Sequence, residues 1–266
     1  MELEKISFSK INTYLKCPLR YYFRYVEGII IPPQGFVILG KATHKGLEFN
    51  YKEKAKHKKE PHIKKVLEYY DWGWEEAKKE NEEWGIEWEE PEWKIKDDGI
   101  KLVSGYYENV SPAVMPKSEN DVEKEFLITF TDFPCITGFI DLITNKDEIY
   151  DHKVVKRKPT PDEISFDIQG LIYQVGFYYE YKKLPAGFFY DLLLKYKEPK
   201  FEKLQGEDIR GRVKISRNKK QSKIKWLEKV LQRAVMGIKN NIFFPVVNPI
   251  NCSWCGYKDR CREGEW

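Results

Sequence analysis

Four cysteines at the two ends of this 266-residue chain constrain its fold more than any other feature. Cys252, Cys255 and Cys261 form a C-x2-C-x5-C pattern near the carboxyl end, and Cys17 lies alone near the amino end. Three closely spaced thiols are one short of a tetrahedral set, and Cys17 can supply the fourth. Thiolates are soft ligands that suit zinc or an iron–sulfur cluster, and the spacing alone does not choose between them. Such a centre would join both ends of the chain in one folded unit.

The composition is that of a globular protein, with 41% hydrophobic and 33% charged residues. No apolar run approaches the roughly 18 residues that span a bilayer, so we expect no membrane partner. The first ten residues lack the apolar stretch of a signal peptide. Because five cysteines without an export signal make a disulfide framework improbable, we expect a reducing, cytoplasmic location. The formal net charge of +4 does not by itself imply nucleic acid.

Periodicity predicts a compact α/β core with a mixed sheet. Ser9 is the expected N-cap of the first helix, and turn residues separate short runs rich in β-branched and aromatic residues. The predicted helices cover 8–27, a segment from about 40, 162–183 and 223–242, and the predicted strands cover 121–130, 136–144, 148–155 and 188–196.

The stretch from about 52 to 110 has a helical composition, Lys-rich first and Trp/Glu-rich afterwards. We expect a solvated helical insertion whose tryptophans pack onto the body of the protein. A basic groove for DNA over Lys54–Lys65 is the weaker alternative.

A carboxylate lies inside an otherwise apolar predicted strand. Asp141 has two apolar residues on each side, and Asp151-His152-Lys153 follows on the next predicted strand. Because alternate residues of a strand share a face, Asp151 and Lys153 point the same way, and a turn would bring Asp141 beside them. Two carboxylates in one place favour a bound cation, and oxygen ligands suit Mg²⁺ or Mn²⁺.

Such a cation would activate water and stabilise charge on a phosphodiester, with Lys153 orienting or deprotonating that water. The alternative is a pair of edge-strand carboxylates in a surface salt bridge with Lys153, since Asp-x-Lys is common by chance. The apolar neighbours of Asp141 favour the metal site.

Two pairs of residues four apart share helical faces. His44 and Glu48 form the first pair, and either could reach a cation at the aspartates, although a lone histidine is more often structural. Gln169 and Tyr173 form the second pair, which could stack a base and hold a phosphate or could simply pack.

The run 35–42 is one residue short of a phosphate-binding loop. Such a loop needs Ser or Thr after the lysine, whereas this run has Ala42, and its middle is bulky and apolar. We therefore expect no nucleoside triphosphate site.

In this order, the residues above resemble the RecB-type branch of the PD-(D/E)xK nuclease superfamily, and more narrowly its four-cysteine iron–sulfur exonucleases. That group includes CRISPR-associated exonucleases and the nuclease domains of AddB-type helicase–nucleases. The resemblance covers nearly the whole chain. It implies a restriction-endonuclease-like core, a mixed sheet flanked by helices, in one nuclease domain over 1–266. Its expected parts are an N-terminal helix with the first cluster cysteine (1–39), the core with the insertion (40–200), and a C-terminal helix with the cysteine cluster (201–266).

The resemblance also implies a catalytic metal site. His44, Asp141 and Asp151 would bind the metal, and Lys153 would complete the site. Asp151 stands where many relatives have glutamate, and its shorter side chain would shift the metal.

The same resemblance implies DNA contacts and a cluster. Gln169 and Tyr173 match a Q-x3-Y motif that is expected to contact DNA. Cys17, Cys252, Cys255 and Cys261 match the ligands of a 4Fe–4S cluster, which is then expected rather than zinc.

We therefore expect a Mg²⁺- or Mn²⁺-dependent DNA exonuclease with a structural 4Fe–4S cluster, acting on single strands or ends. Arg20, Arg24 and the Lys-rich segment 214–225 are candidate DNA contacts that could equally be solvated faces. The alternatives are a DNA-binding or nuclease subunit that is active only with a helicase or integrase partner, and a zinc-bound binding module without a reaction.

Overall fold

The computed structural model describes residues 5–130, 133–165, 167–216 and 219–264, and the side chains of 130, 133, 212–216, 219–221 and 250 lie outside that description. The chain forms two compact units. The terminal unit comprises Met1–Ile31, Phe126–Gly138 and Ile209–Trp266, and the central unit comprises Pro32–Glu125 and Phe139–Asp208. Most of the Lys-rich candidate segment 214–225 therefore has no described side chains.

The described helices and strands are numbered along the chain. The helices are α1 Phe8–Lys16, α2 Pro18–Tyr21, α3 Gly35–His57, α4 Ile63–Lys79, α5 Glu92–Asn109, α6 Pro161–Ser165, α7 Gln169–Tyr181, α8 Lys223–Lys239, α9 Pro249–Cys252 and α10 Lys258–Glu263. The strands are β1 Lys5–Ser7, β2 Val122–Phe130, β3 Phe133–Ile143, β4 Glu148–Val155, β5 Gly187–Leu194, β6 Lys200–Gln205, β7 Arg212–Ser216 and β8 Lys219–Ser222.

The central unit is built on a mixed sheet. The end of β3 pairs antiparallel with β4, β4 pairs parallel with β5, and β5 pairs antiparallel with β6. In the parallel register Asp151 lies opposite Tyr190, and His152 lies opposite Asp191. This alternation directs Asp151 and Lys153 to one face of the sheet and His152 to the other.

Helices cover both faces of this sheet. α3 contacts β4, and α5 contacts β5. α7 packs on β5 from the other face, where Gly170 lies so close to the Phe188 ring that a Cβ at this glycine would fall 2.4 Å from it. Glycine is therefore required for α7 to approach the strand.

The segment predicted as a solvated insertion instead supplies much of the central core. Tyr70, Trp74 and Tyr106 are fully buried and pack in one cluster with Tyr150 and Leu193 of the sheet. Long helices that bury an apolar face belong to the hydrophobic core of a domain and are not solvated insertions on its surface.

The alternative prediction, a basic groove for DNA over Lys54–Lys65, is wrong for Lys54. Lys54 is 3% exposed, and its ammonium donates to Glu60 Oε1 at 2.6 Å and to the Ser111 carbonyl at 2.5 Å. A buried lysine with these partners serves the fold of the central unit and is not available to a phosphate.

In the terminal unit, β1 pairs parallel with residues 135–137 of β3. α1 packs against α8, and the Tyr14 hydroxyl donates to the Ile242 carbonyl at 2.8 Å. These contacts bring the two ends of the chain together within one unit.

The predicted helix 8–27 is interrupted. α1 ends at Lys16, Cys17 is extended with φ −163°, and Pro18 begins α2. Proline disfavours helical backbone in the residue before it, which explains the break at Cys17. Ser7, not Ser9, is the N-cap of α1, and its hydroxyl accepts from the Lys10 amide.

Other boundaries also differ from the predictions. The helix predicted near Gly40 begins at Gly35, so the near-miss phosphate loop forms the first turns of α3. The helix predicted over 162–183 is divided into α6 and α7. Strands β6, β7 and β8 were not predicted, because their short sequences are rich in lysine and other polar residues that are depleted in strands. No helix in the described parts of the chain has the length and apolar character needed to cross a membrane.

Candidate active site

The middle of β4 carries an ion pair on the face that α7 covers. Asp151 is fully buried, and the Lys153 ammonium lies 3.0 Å from its Oδ1 and 2.9 Å from its Oδ2. Gln169, the first residue of α7, donates to Asp151 Oδ1 at 3.2 Å and to the Tyr173 hydroxyl at 2.7 Å. The structure thus brings the Asp-x-Lys pair and the Q-x3-Y pair together.

Asp141 lies on β3 beside this ion pair. It is 8% exposed, and its Oδ2 accepts a hydrogen bond from the His152 amide at 2.7 Å. His44 of α3 completes the group, with Nδ1 3.7 Å from Asp141 Oδ2 and Nε2 2.9 Å from the His152 carbonyl. Strand pairing therefore fixes the two aspartates against each other, and α3 adds the imidazole.

Glu48, the other residue predicted to reach a cation, has different partners. Its carboxylate accepts from Lys45 at 3.2 Å and from Lys52 at 2.6 Å. These lysines lie three and four residues away on the same helix, so Glu48 stabilises the surface of α3.

Glu123 belongs to the site and was missed from the sequence. Its Oε1 lies 3.8 Å from His44 Nδ1. In the described part of the chain, the carboxylates of Glu123 and Asp141 and the imidazole of His44 form a group whose ligand atoms all lie within 4.8 Å of one another. No motif contains Glu123, and the alternation of strand residues could not have located it, because its φ of +52° is left-handed.

The electrostatics of the site are dominated by its carboxylates. Burial opposes a charge on His44, but Asp141 and Glu123 outweigh it and raise the pKa of His44 to about 9. Burial and then the charge of Asp141 raise the pKa of Asp151 to about 6, although Lys153 opposes the shift. These shifts mark a site with excess negative charge, which a divalent cation would neutralise.

Lys153 remains a cation in this environment. Burial disfavours its charge, but the carboxylates of Asp151 and Asp141 outweigh burial and raise the pKa of Lys153 above its ordinary value. An ammonium with a raised pKa stabilises negative charge and is a poor proton acceptor.

A buried network fixes the strand residue between Asp151 and Lys153. The His152 ring lies on the opposite face of the sheet, with Nδ1 3.0 Å from Asp191 Oδ2. The same carboxylate oxygen accepts from the Tyr106 hydroxyl of α5. Tyr51 of α3 hydrogen-bonds Tyr106 at 2.8 Å and stacks its ring on His152 with centroids 5.7 Å apart. The backbone of His152 contacts both Asp141 and His44. This network on the opposite face of the sheet therefore fixes the positions of these two site residues.

Two grooves of the central unit meet at Lys153. A cavity of about 680 Å³ is lined by His44, Glu123 and Lys153 together with residues of α3 and α4. A second cavity of about 480 Å³ is lined by Lys153, by residues 154–157 and by Glu163, Ile164 and Asp167. Two proposed residues of the candidate metal site, His44 and Glu123, thus face the larger cavity, and Lys153 lines both.

The four predicted cysteine ligands lie together in the terminal unit. They line one cavity of about 110 Å³. Burial and then the charges of Cys17, Cys252 and Cys255 raise the pKa of the Cys261 thiol, as expected for neighbouring sulfurs. The side chains of Leu19, Phe23 and Tyr257 pack around the cysteines.

The spacing of these sulfurs is wide. A zinc–sulfur bond of about 2.3 Å in a tetrahedron places sulfurs roughly 3.8 Å apart. No three of the four sulfurs, all in described residues, lie within 4.8 Å of one another. Cys135, the fifth cysteine, lies in β3 opposite Lys5 and is half-buried.

The two predicted arginine contacts differ in their surroundings. Arg20 lines the cysteine cavity, and its buried Nε has no hydrogen-bond partner in the described residues. Arg24 lies over the Tyr25 ring, 5.5 Å from its centroid. Both belong to the terminal unit, whereas Gln169 and Tyr173 belong to the central unit.

A family model matches almost the whole chain. The model describes the PD-(D/E)XK nuclease superfamily and matches residues 5–262. The chain belongs to the PD-(D/E)XK nuclease superfamily.

A solved structure shares the fold of this nuclease. It is the crystal structure of a protein from Eubacterium rectale that carries the provisional assignment of an exonuclease. The two align with a TM-score of 0.56 and 15% sequence identity over 98% of this chain and 88% of the other. The predicted restriction-endonuclease-like fold, a mixed sheet flanked by helices, is confirmed. No curated protein matches the chain.

PD-(D/E)XK nucleases use divalent metals, and the central unit contains a candidate acidic site for one. The residues there fit a hard cation, because they offer carboxylate oxygens and an imidazole in a region of excess negative charge. Asp141 Oδ1 has no hydrogen-bond partner among the described residues and remains available to a ligand.

Proposed function

We propose that this nuclease is a Mg²⁺- or Mn²⁺-dependent DNA exonuclease that acts on single strands or DNA ends. The observation that carries the proposal is the convergence of Asp141, Asp151 and Lys153 with His44 at a point where two grooves meet. His44, Asp141 and Asp151 would hold the cation, which would supply an activated water and charge stabilisation at the phosphodiester.

Lys153, Gln169 and Tyr173 would have separate roles in phosphodiester cleavage. Lys153 is paired with Asp151 and keeps its proton, so it would stabilise negative charge on the phosphate rather than act as the base. Gln169 holds Asp151 and Tyr173 in place. Tyr173 is only 7% exposed, which favours a contact through its hydroxyl edge over stacking of a base on its ring.

We further propose that Cys17, Cys252, Cys255 and Cys261 bind a 4Fe–4S cluster. The cavity that all four cysteines line and the resemblance of their pattern to the four-cysteine iron–sulfur exonucleases support this assignment. With this cluster we propose the four-cysteine RecB-type subgroup, an intracellular, reducing location and a single nuclease domain over 1–266.

The direct test is digestion of end-labelled single-stranded DNA with Mn²⁺ by anaerobically purified protein. We expect wild type to give products and Lys153→Ala to lose at least about 100-fold of the activity while remaining folded, with a melting temperature below that of wild type because the buried Asp151 loses its ion-pair partner. Lys183→Ala is the matched control, because Lys183 also pairs with an aspartate, Asp147, but on the exposed surface.

The outcomes separate the candidate functions. The position of the label would report the polarity of digestion. Equal cleavage by wild type and Lys153→Ala would show that the site is misplaced or that the preparation is contaminated. Binding of DNA by cluster-loaded wild type without any products would favour a subunit that needs a helicase or integrase partner.

A further inference from the structure

Glu123 is the one carboxylate of the candidate metal site without a role in the proposed function. It lines the larger groove together with His44 and Lys153. Among the described residues, its only polar side-chain contact is His44, at 3.8 Å from Nδ1. In the described part of the chain, no lysine or arginine forms an ion pair with Glu123.

The backbone turns this side chain toward His44. Glu123 is the second residue of β2, and its φ is +52°. The other described non-glycine residues with positive φ are Lys58 and Lys182 at helix ends, Asp147 in a turn and Asn241 just after α8. Glu123 alone among them lies within a strand, where the conformation breaks the normal alternation of side chains.

The distances around Glu123 fit a bound cation. Ligand atoms about 2.0–2.3 Å from a shared ion lie roughly 3–4.5 Å apart. His44 Nδ1 lies 3.8 Å from Glu123 Oε1 and 3.7 Å from Asp141 Oδ2. A second sign that a ligand belongs here is the neighbouring Asp151 Oδ2, which is buried and, apart from its ion pair with Lys153, has no hydrogen-bond partner among the described residues.

We infer that Glu123 is a protein ligand of the divalent cation together with His44 and Asp141, the two residues whose ligand atoms lie within 4.8 Å of its carboxylate. Mg²⁺ sites in nucleotide-processing enzymes commonly use one or two carboxylates and rely on substrate phosphates for the rest. These three protein ligands would let the nuclease hold its cation before DNA arrives and leave octahedral positions for Asp151, water and a phosphate oxygen. The inference rests on the proposed function only for the identity of the cation.

The experiment counts bound Mn²⁺ without DNA, using the electron paramagnetic resonance signal of free Mn²⁺ during titration. We expect wild type to bind one Mn²⁺ per chain, and Glu123→Gln to bind it at least about tenfold more weakly. Glu48→Gln is the matched control, because Glu48 lines the same groove but is paired with two lysines. Its Mn²⁺ affinity should equal that of wild type.

A second variant, Glu123→Gly, tests whether weaker Mn²⁺ binding could come from misfolding at this position. Glycine accepts a φ of +52° without strain, so this variant should keep or raise the melting temperature while losing Mn²⁺ affinity. Wild-type affinity in both variants, or Mn²⁺ binding by wild type only in the presence of DNA, would overturn the inference. Because no step of the titration involves cleavage, an inactive wild type that binds Mn²⁺ through Glu123 would reject the exonuclease proposal and leave this inference standing.

Discussion

The two candidate metal sites of this nuclease are held in different ways. In the central unit, paired strands carry the aspartates, and Asp141 accepts the His152 amide at 2.7 Å. In the terminal unit, the hydrogen bonds of the cysteine sulfurs are weak, 3.4 Å from the Val246 amide to Cys17 Sγ and 4.0 Å from Cys252 Sγ to the Val246 carbonyl. Strand register can position the first site without a metal, whereas the second depends on what the thiols bind.

The largest expected effect breaks the cysteine site. Cys255→Ser should lose the bound cluster and its brown colour and should lower the melting temperature by more than about 10 °C, because binding of a structural metal centre is coupled to folding. Iron and sulfide analysis together with thermal denaturation measure both effects. Retention of the iron content and melting temperature of wild type would show that Cys255 is not a ligand.

Cys135→Ser is the matched control for this variant. Cys135 also belongs to the terminal unit and is half-buried, but it lies in β3 and not in the cysteine cavity. Its iron content should therefore equal that of wild type. The difference in iron content between the two variants then separates the loss of a cluster ligand from the general effect of removing a thiol.

The next effect tests how the central site is supported. Asp191→Ala should destabilise the protein by about 3–5 kcal/mol, because it leaves His152 and Tyr106 without their shared buried carboxylate. Urea denaturation measures the loss. Activity should fall as well, since His152 presents its amide to Asp141, while the iron content should be unchanged.

Tyr106→Phe sharpens the same test. It removes only the hydroxyl that Asp191 and Tyr51 share, so the expected loss is smaller, about 1–2 kcal/mol. If Asp191→Ala removed iron as readily as Cys255→Ser, the contrast between a strand-positioned site and a metal-dependent site would be wrong.

The local part of the central site could be predicted from the sequence, and the long-range part could not. Asp141, Asp151 and Lys153 lie on consecutive strands joined by a short turn, so alternation and proximity suffice to bring them together. Tyr106 and Asp191 meet across 85 residues, and only the parallel pairing of β4 with β5 and the docking of α5 create that contact.

The same limit explains the other differences. Glu123 could not be predicted, because its positive φ contradicts the periodicity on which strand predictions rest. The cysteine spacing located three candidate ligands, because a short motif does not depend on the rest of the fold, and Cys17 was added because three thiols are one short of a tetrahedral set. The spacing did not predict that Arg20 lines the same cavity with a buried Nε. The position of Arg20 depends on the direction that α2 takes after the break at Cys17.

A smaller effect concerns pH in the absence of metal. The pKa of His44 rises from 6.5 to about 9 on folding, so its proton stabilises the folded state fully below pH 6.5, and this stabilisation is lost as the pH rises through about 9. In EDTA, the melting temperature of wild type should fall by about 3 °C more than that of His44→Asn between pH 6.5 and 9.5. Parallel curves for the two proteins would show that the carboxylates do not act on His44 as the geometry indicates.

The smallest expected effect lies at the break between α1 and α2. Pro18 keeps Cys17 extended with φ −163°, which directs its sulfur to the Val246 amide. Pro18→Ala should allow a continuous helix through Cys17 and change the overall stability by less than about 1 kcal/mol, because alanine favours the helix that proline interrupts. Its effect should instead be seen in the cluster, as faster loss of iron to a chelator than in wild type. An unchanged rate of iron loss would mean that the bound cluster positions Cys17 without help from the backbone. The geometry of the terminal site would then depend on its metal, and the weak hydrogen bonds of its sulfurs would contribute little.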